Sequence, residues 1–215
     1  MKIKYLFLAS IAGAIVALDQ ATKTYVHTHF DLHESVNVIA DLFSLTYVRN
    51  PGAAFGFLGT SPEVFREIFF LSMPPIALLI ILAILRTVAD RERLTIVSLS
   101  MVFGGAIGNY VDRLRFRYVI DYLDFHLSVP LVDRLHGSFL SPVLNLLGIP
   151  VGREWVYPAF NVADMAIVGG VSALLYVEFR KYRDARAQAS LDTTAPLAAP
   201  RDRRRQKASS AAPRA

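Results

Sequence analysis

Four apolar stretches, each close to the length of a bilayer crossing, constrain this chain more than any other feature. They cover about residues 4–25, 65–85, 94–111 and 158–177. A membrane helix needs about 20 predominantly apolar residues, and backbone inside hydrocarbon must satisfy its own hydrogen bonds. The expected fold is therefore a mainly α membrane protein with four transmembrane helices. The first stretch taken alone also fits a cleaved signal peptide, because Lys2 and Lys4 precede its apolar run. No small-x-small cleavage site precedes a polar mature start, however, and three further spans follow.

Charge gives the orientation. Only 19% of the 215 residues are charged, against about 25% in a soluble domain. Residues 1–178 carry 13 Lys or Arg and 15 Asp or Glu, whereas residues 179–215 carry 10 and 3. The basic balance thus belongs to a tail, which argues against a nucleic-acid-binding body. Lys2 and Lys4, then Arg86, Arg91 and Arg93, then Arg180, Lys181, Arg183 and Arg186 fall on one side of a four-span chain. Positive loops face the cytoplasm, so both termini are expected there. Arg113, Arg115 and Arg117 cluster on the opposite side. A basic cluster in that place calls for another job, such as an anionic substrate or carboxylate pairing. With no cysteine in the chain, disulfides, thiolate metal sites and a cysteine nucleophile are excluded.

The loops between spans have character of their own. Residues 36–47 and 53–58 read as short strands joined around the turn residues Asn50-Pro51-Gly52. Residues 125–157 are moderately apolar and interrupted by prolines and glycines, as expected of a segment along the membrane surface. The membrane unit is expected to fill residues 1–178. Residues 187–215, rich in Ala, Pro, Arg and Ser, are expected to form a disordered basic cytoplasmic tail.

Polar residues inside spans are costly and usually face a bundle interior or a watery cavity. Here they converge on one level. Asp19, Thr22 and Lys23 end the first span, Asn109, Asp112 and Arg113 end the third, and Asn161 and Asp164 begin the fourth. Asn50 and Asp121 lie in the adjoining outer loops. Asp164 falls roughly 9 Å inside Pro158 along a helix, at the edge of the hydrocarbon. Duller readings stand beside this one. Asp19 and Lys23 are spaced for a structural ion pair, Gly104 and Gly108 for close helix packing, and Arg113 could simply neutralise Asp164. Metalloprotease and serine-hydrolase motifs are missing, and His27, His29 and His33 read as surface residues. Carboxylates remain as the candidate chemistry, for hydrolysis or, alternatively, for a small proton- or ion-coupled membrane transporter.

Asp19-Gln20-Ala21-Thr22-Lys23, Asn50-Pro51-Gly52-Ala53-Ala54-Phe55, Gly104 through Arg113, Val119-Ile120-Asp121-Tyr122 and Phe160-Asn161-Val162-Ala163-Asp164 resemble, in order, the motifs of bacterial signal peptidase II. The resemblance implies an inner-membrane aspartyl protease that cuts diacylglyceryl-modified prolipoproteins before the lipidated cysteine. It implies a small extracytoplasmic β-cradle over the cleft, Asp121 and Asp164 as the catalytic pair, and no metal or organic cofactor. Asn50, Gly52, Asn109, Arg113 and Asn161 would line the site, with Asp19, Lys23 and Asp112 in support. Membrane lipid and globomycin-type inhibitors would be further partners. The chain departs from the family pattern in the 43 residues from Asp121 to Asp164, a longer connection than the family's usual one, which would act as a lid, a partner surface or a neutral elaboration.

Overall fold

The computed structural model describes residues 2–52 and 61–194. The strand expected at 53–58 and the tail expected over 195–215 lie outside the described residues. Helix α1 spans Ile3–His29, followed by strands β1 (Ser35–Ile39) and β2 (Phe43–Asn50). Helices α2 (Glu63–Thr87) and α3 (Arg93–Phe116) come next, then strand β3 (Val119–Leu127). Two short helices, α4 (Val129–His136) and α5 (Ser141–Leu146), and strand β4 (Trp155–Val156) precede helix α6 (Val162–Thr194). Four of the helices, α1, α2, α3 and α6, are long and apolar enough to cross a membrane. They correspond to the four stretches seen in the sequence.

Helix α3 is central because its glycines remove the bulk between it and its neighbours. A Cβ at Gly104 would lie 2.8 Å from Ala12 Cα, and one at Gly108 would lie 2.6 Å from an Asp19 carboxylate oxygen. A Cβ at Gly105 would meet the Ala163 carbonyl. Helix α3 thus packs against α1 and α6 at near-backbone contact, as small residues allow between membrane helices. Helix α2 closes the other end through Leu85, Ile81 and Val88, which pack with Leu8, Ile96 and Leu99. Much of the rest of α2, including Ile76, Leu79, Ile80 and Ile84, is exposed, the distribution of a helix that faces lipid.

One basic residue used to orient the chain has a second role. Lys4 is buried, and its Nζ donates to the carbonyls of Arg86 at 2.9 Å and Val88 at 2.8 Å. The last carbonyls of a helix lack intrahelical donors, and a cation there also complements the helix dipole. Lys4 therefore ties the start of α1 to the end of α2.

The four strands form one antiparallel sheet in the order β1-β2-β3-β4. Val48 pairs with Asp121 and Asn50 with Val119, which brings the Asn50-Pro51-Gly52 turn alongside the start of β3. Val26, Tyr47, Ile120 and Tyr122 make a core between the sheet and the end of α1. The segment from α4 to β4 has a small core of its own, Val132, Leu144 and Ile149, against Leu127, Leu135 and Trp155.

Two expected boundaries move. The fourth span starts at Val162 rather than 158, because Phe160 pairs with the sheet: its carbonyl accepts from Tyr122 and Leu123, and its N–H donates to Leu123 at 3.0 Å. At the other end, residues 187–194 are helical where a structureless tail was expected. Residues 178–194 are rich in Ala, Arg, Lys, Glu and Gln, all strong helix formers, and Lys181–Glu178 and Arg180–Asp184 pair along the helix. The chain divides after Val177 into two compact units.

Candidate active site

The site starts from the first turn of α6. Asn161 precedes the helix and its Oδ1 accepts the Asp164 N–H at 3.0 Å, while an Asp164 oxygen accepts the Asn161 N–H at 3.2 Å. This reciprocal pair is a capping box, and it fixes the Asp164 carboxylate by the same bonds that begin the helix. The Ala163 N–H, another amide with no partner inside the helix, donates to Asp19 Oδ1 at 2.9 Å. A carboxylate at a helix N-terminus is favoured by the dipole.

From there the network spreads through amides. Asn161 Nδ2 donates to Asp121 Oδ1 at 2.7 Å and to Asn109 Oδ1 at 3.2 Å. Asn109 Nδ2 donates to the second Asp164 oxygen at 2.8 Å. On the far side of Asp121, Asn50 Nδ2 donates to its Oδ2 at 2.9 Å, and Asn50 Oδ1 accepts the Gly52 N–H at 3.0 Å. Arg113 Nη2 donates to the Gly52 carbonyl at 3.0 Å. Asp121 and Asp164 are therefore joined through the Asn161–Asn109 amide pair, one on the sheet and the other on α6. Asp121 is buried and Asp164 half-buried.

Beneath this layer lies an ionic one. Lys23 Nζ contacts Asp19 at 2.9 Å, Asp112 at 3.0 Å and Asn109 Oδ1 at 2.8 Å. An ammonium has three donors, so Lys23 is fully used. Asp112 also accepts the Ile120 N–H at 3.1 Å, which anchors the start of β3 just before Asp121. Gln20 bridges the two supporting acids, donating to Asp112 Oδ1 at 2.9 Å and to Asp19 Oδ2 at 3.2 Å.

All the residues singled out in the sequence as site candidates thus sit in one connected network. Two members were missed. Gln20 lies within the Asp19–Lys23 motif but carries no charge to draw attention, and Tyr122 donates from its hydroxyl to Thr22 at 2.8 Å. Arg113 does not neutralise Asp164 by direct pairing; it serves the Gly52 carbonyl and stacks over the Phe70 ring at 4.9 Å. Two of the histidines lie in the last turn of α1 and are separately engaged, His27 Nδ1 with the Tyr47 hydroxyl at 2.6 Å and His29 stacked on Tyr25. Among the described residues no group of His, Asp and Glu is arranged to hold a metal ion.

Asp121 is the electrostatic outlier. Its carboxyl is pushed up to about 7, first by burial and then by the charge of Asp164, against hydrogen bonds from Asn50 and Asn161 that pull the other way. Two neighbouring carboxyl groups, one of them driven towards neutrality, are an arrangement for sharing a proton.

The family model described as signal peptidase (SPase) II matches residues 11–180. The chain belongs to the signal peptidase II family. The lipoprotein signal peptidase of Syntrophus aciditrophicus is 41% identical over 83% of this chain and 95% of its own length. That of Desulforapulum autotrophicum is likewise 41% identical, over 82% and 94%. A bacterial membrane enzyme structure determined by the in meso method at 2.3 Å resolution superposes with a TM-score of 0.64 at 25% identity, covering 82% of this chain and 90% of that one. Membership of the signal peptidase II family, with four apolar helices, makes this a multi-pass bacterial membrane protein and a peptidase.

Proposed function

We propose that the chain is an aspartic-type signal peptidase II in which Asp121 and Asp164 cut diacylglyceryl-modified prolipoproteins just before the lipidated cysteine. That it removes signal peptides from prolipoproteins follows from the family and from relatives named lipoprotein signal peptidase over most of its length. The transporter alternative is set aside on the same ground. The carboxylate mechanism is supported above all by the Asp121 carboxyl, raised to about 7 beside Asp164.

Two close carboxyl groups resist ionising together, so the pair carries one proton. Its ionised member draws a proton from water as the oxygen attacks the scissile carbonyl carbon, and its neutral member donates to the carbonyl oxygen. When the tetrahedral species collapses, the C–N bond breaks, the departing nitrogen takes a proton from one carboxyl, and a gem-diol hydroxyl returns one to the other, so the pair again carries one proton. Asn50, Asn109 and Asn161 hold the acids in place, Arg113 holds the Gly52 turn, and the Lys23 layer supports both from below. Globomycin-type inhibitors compete for the same cleft. The termini lie in the cytoplasm and the cleft at the outer interface, where a lipidated cysteine keeps its acyl chains in the bilayer.

The test is cleavage of a diacylglyceryl-modified prolipoprotein by purified protein, comparing the parent with Asp121→Asn and Asp164→Asn. Each folded variant should lose at least about a thousandfold in rate, the scale of removing a group essential to acid–base chemistry. Retained cleavage in either variant removes that residue from the pair.

A further inference from the structure

Arg66, Arg113 and Arg117 surround a cavity of about 250 Å³ between the sheet-side ends of α2 and α3, and the hydrolytic reading leaves it unused. Neither Asp121 nor Asp164 lines it. Its apolar wall includes Phe70 and Phe116, and Glu67 is the single acid on it. Among the described residues none of the three guanidinium groups forms an ion pair with a carboxylate. Arg113 is pinned by the Gly52 carbonyl and the Phe70 ring, so it cannot swing away. Arg113 has the carboxylates of the neighbouring site close by. Yet Arg66 and Arg117 stand beside it at the same open space with Glu67 as the one acid on its wall, and like charges so placed repel unless an anion joins them.

We propose that this cavity binds a phosphate group, of the kind carried by an anionic phospholipid headgroup. A guanidinium offers a planar fork of donors that matches phosphate oxygens. The site lies at the ends of two membrane-spanning helices, the depth at which lipid headgroups sit, so a phosphate held there belongs to a lipid of the outer leaflet. Its volume falls just under the roughly 300–1,000 Å³ of ligand pockets, which suits a headgroup with its acyl chains left in the bilayer along exposed α2. The bland account of Arg113 and Arg115 is that cations in the last turn of α3 offset its dipole. Arg66 escapes that account, since it comes from the opposite, N-terminal end of α2. Free phosphate esters share the chemistry and are the other source to be separated.

The experiment is lipid retention by the purified full chain, counted by native mass spectrometry, with phosphatidylglycerol, phosphatidylcholine and soluble glycerol 3-phosphate as probes. The parent should retain one phosphatidylglycerol in preference to phosphatidylcholine. Arg66→Gln combined with Arg117→Gln should weaken retention roughly tenfold or more, each guanidinium near a headgroup contributing a severalfold factor. Arg91→Gln, at the other end of α2, should leave it unchanged. If glycerol 3-phosphate binds as tightly as the lipid and displaces it, a phosphate site stands and its source is soluble. Equal retention by the parent and the double variant overturns the proposal. Circular dichroism checks folding, and Arg117→Gln alone, at an exposed position, reads the same loss in smaller measure if the double variant does not fold. Because the readout is binding, its failure is separable from failure of the aspartic mechanism.

Discussion

Asp121 sits on β3 with two amides donating to its carboxylate and almost no access to solvent. Its carboxyl ordinarily titrates near 3.8 and is raised to about 7 here. If the pair works with one proton, activity should fall as pH rises through about 7, which a pH profile of kcat/KM reads directly. A stability effect of the same origin follows. A carboxyl raised on folding favours the folded state fully below its unfolded value, near 4, and that contribution is lost as pH rises through about 7. The parent should therefore lose thermal stability as pH rises from about 4 to about 7. The loss should be a few kcal/mol at most, since each tenfold change in proton affinity is worth about 1.4 kcal/mol. Asp121→Asn should flatten this slope, as thermal unfolding across that range would show. An unchanged slope would mean that other groups set it.

Among elements, α3 and the start of α6 decide whether the site exists at all. Gly108 leaves no room for a methyl group, which would lie 2.6 Å from Asp19 Oδ2. Gly108→Ala should push Asp19 off Lys23 and the Ala163 amide, costing about 1–3 kcal/mol as overpacking does and lowering both melting temperature and cleavage. Unaltered activity and stability would show that α1 and α3 can separate freely. The residues behind this arrangement could be picked out in the sequence. Asn109, Asp112 and Arg113 fall on one helical face by spacing alone, and Asp19 and Lys23 are one turn apart. Which atoms they would meet could not be read, because Asp19 reaches an amide 144 residues away in the chain. Hydropathy also misplaces the start of α6: Pro158, Ala159 and Phe160 are apolar enough to extend a span, yet Phe160 is held by β3. Lys4 reads as an ordinary loop charge, since only the return of α2 reveals the carbonyls it seals.

The whole molecule has its sheet, its carboxylates and its arginine-lined cavity at one end of the bundle, and the Lys4 seal between α1 and α2 at the other. The seal requires the N-terminus of α1 and the 88–92 turn to lie on the same side of the membrane. Reporter fusions after Ala89 and at the N-terminus should both report the cytoplasm, and a fusion within 137–139 should report the opposite face. A cytoplasmic signal from 137–139 would overturn this topology. The segment from α4 to β4 was legible only as an extra stretch. Its core residues Val132, Leu144 and Ile149 are separated by turns and follow no single period, so no pattern announces them.

The pairing of Lys23 with Asp19 bears on how such a chain enters a membrane during synthesis. Each charge alone near the outer end of the span would still resist transfer into the bilayer, though by less than the roughly 3 kcal/mol of a charge at the helix centre. One turn apart on α1, they can travel as a neutral unit before any other helix exists. When α3 arrives, Lys23 gains Asp112 and Asn109, and Asp19 finds the Ala163 amide once α6 follows. The contact that ends as the floor of the cleft thus begins as a travelling escort, and the finished arrangement is reached by adding partners to it rather than by breaking it.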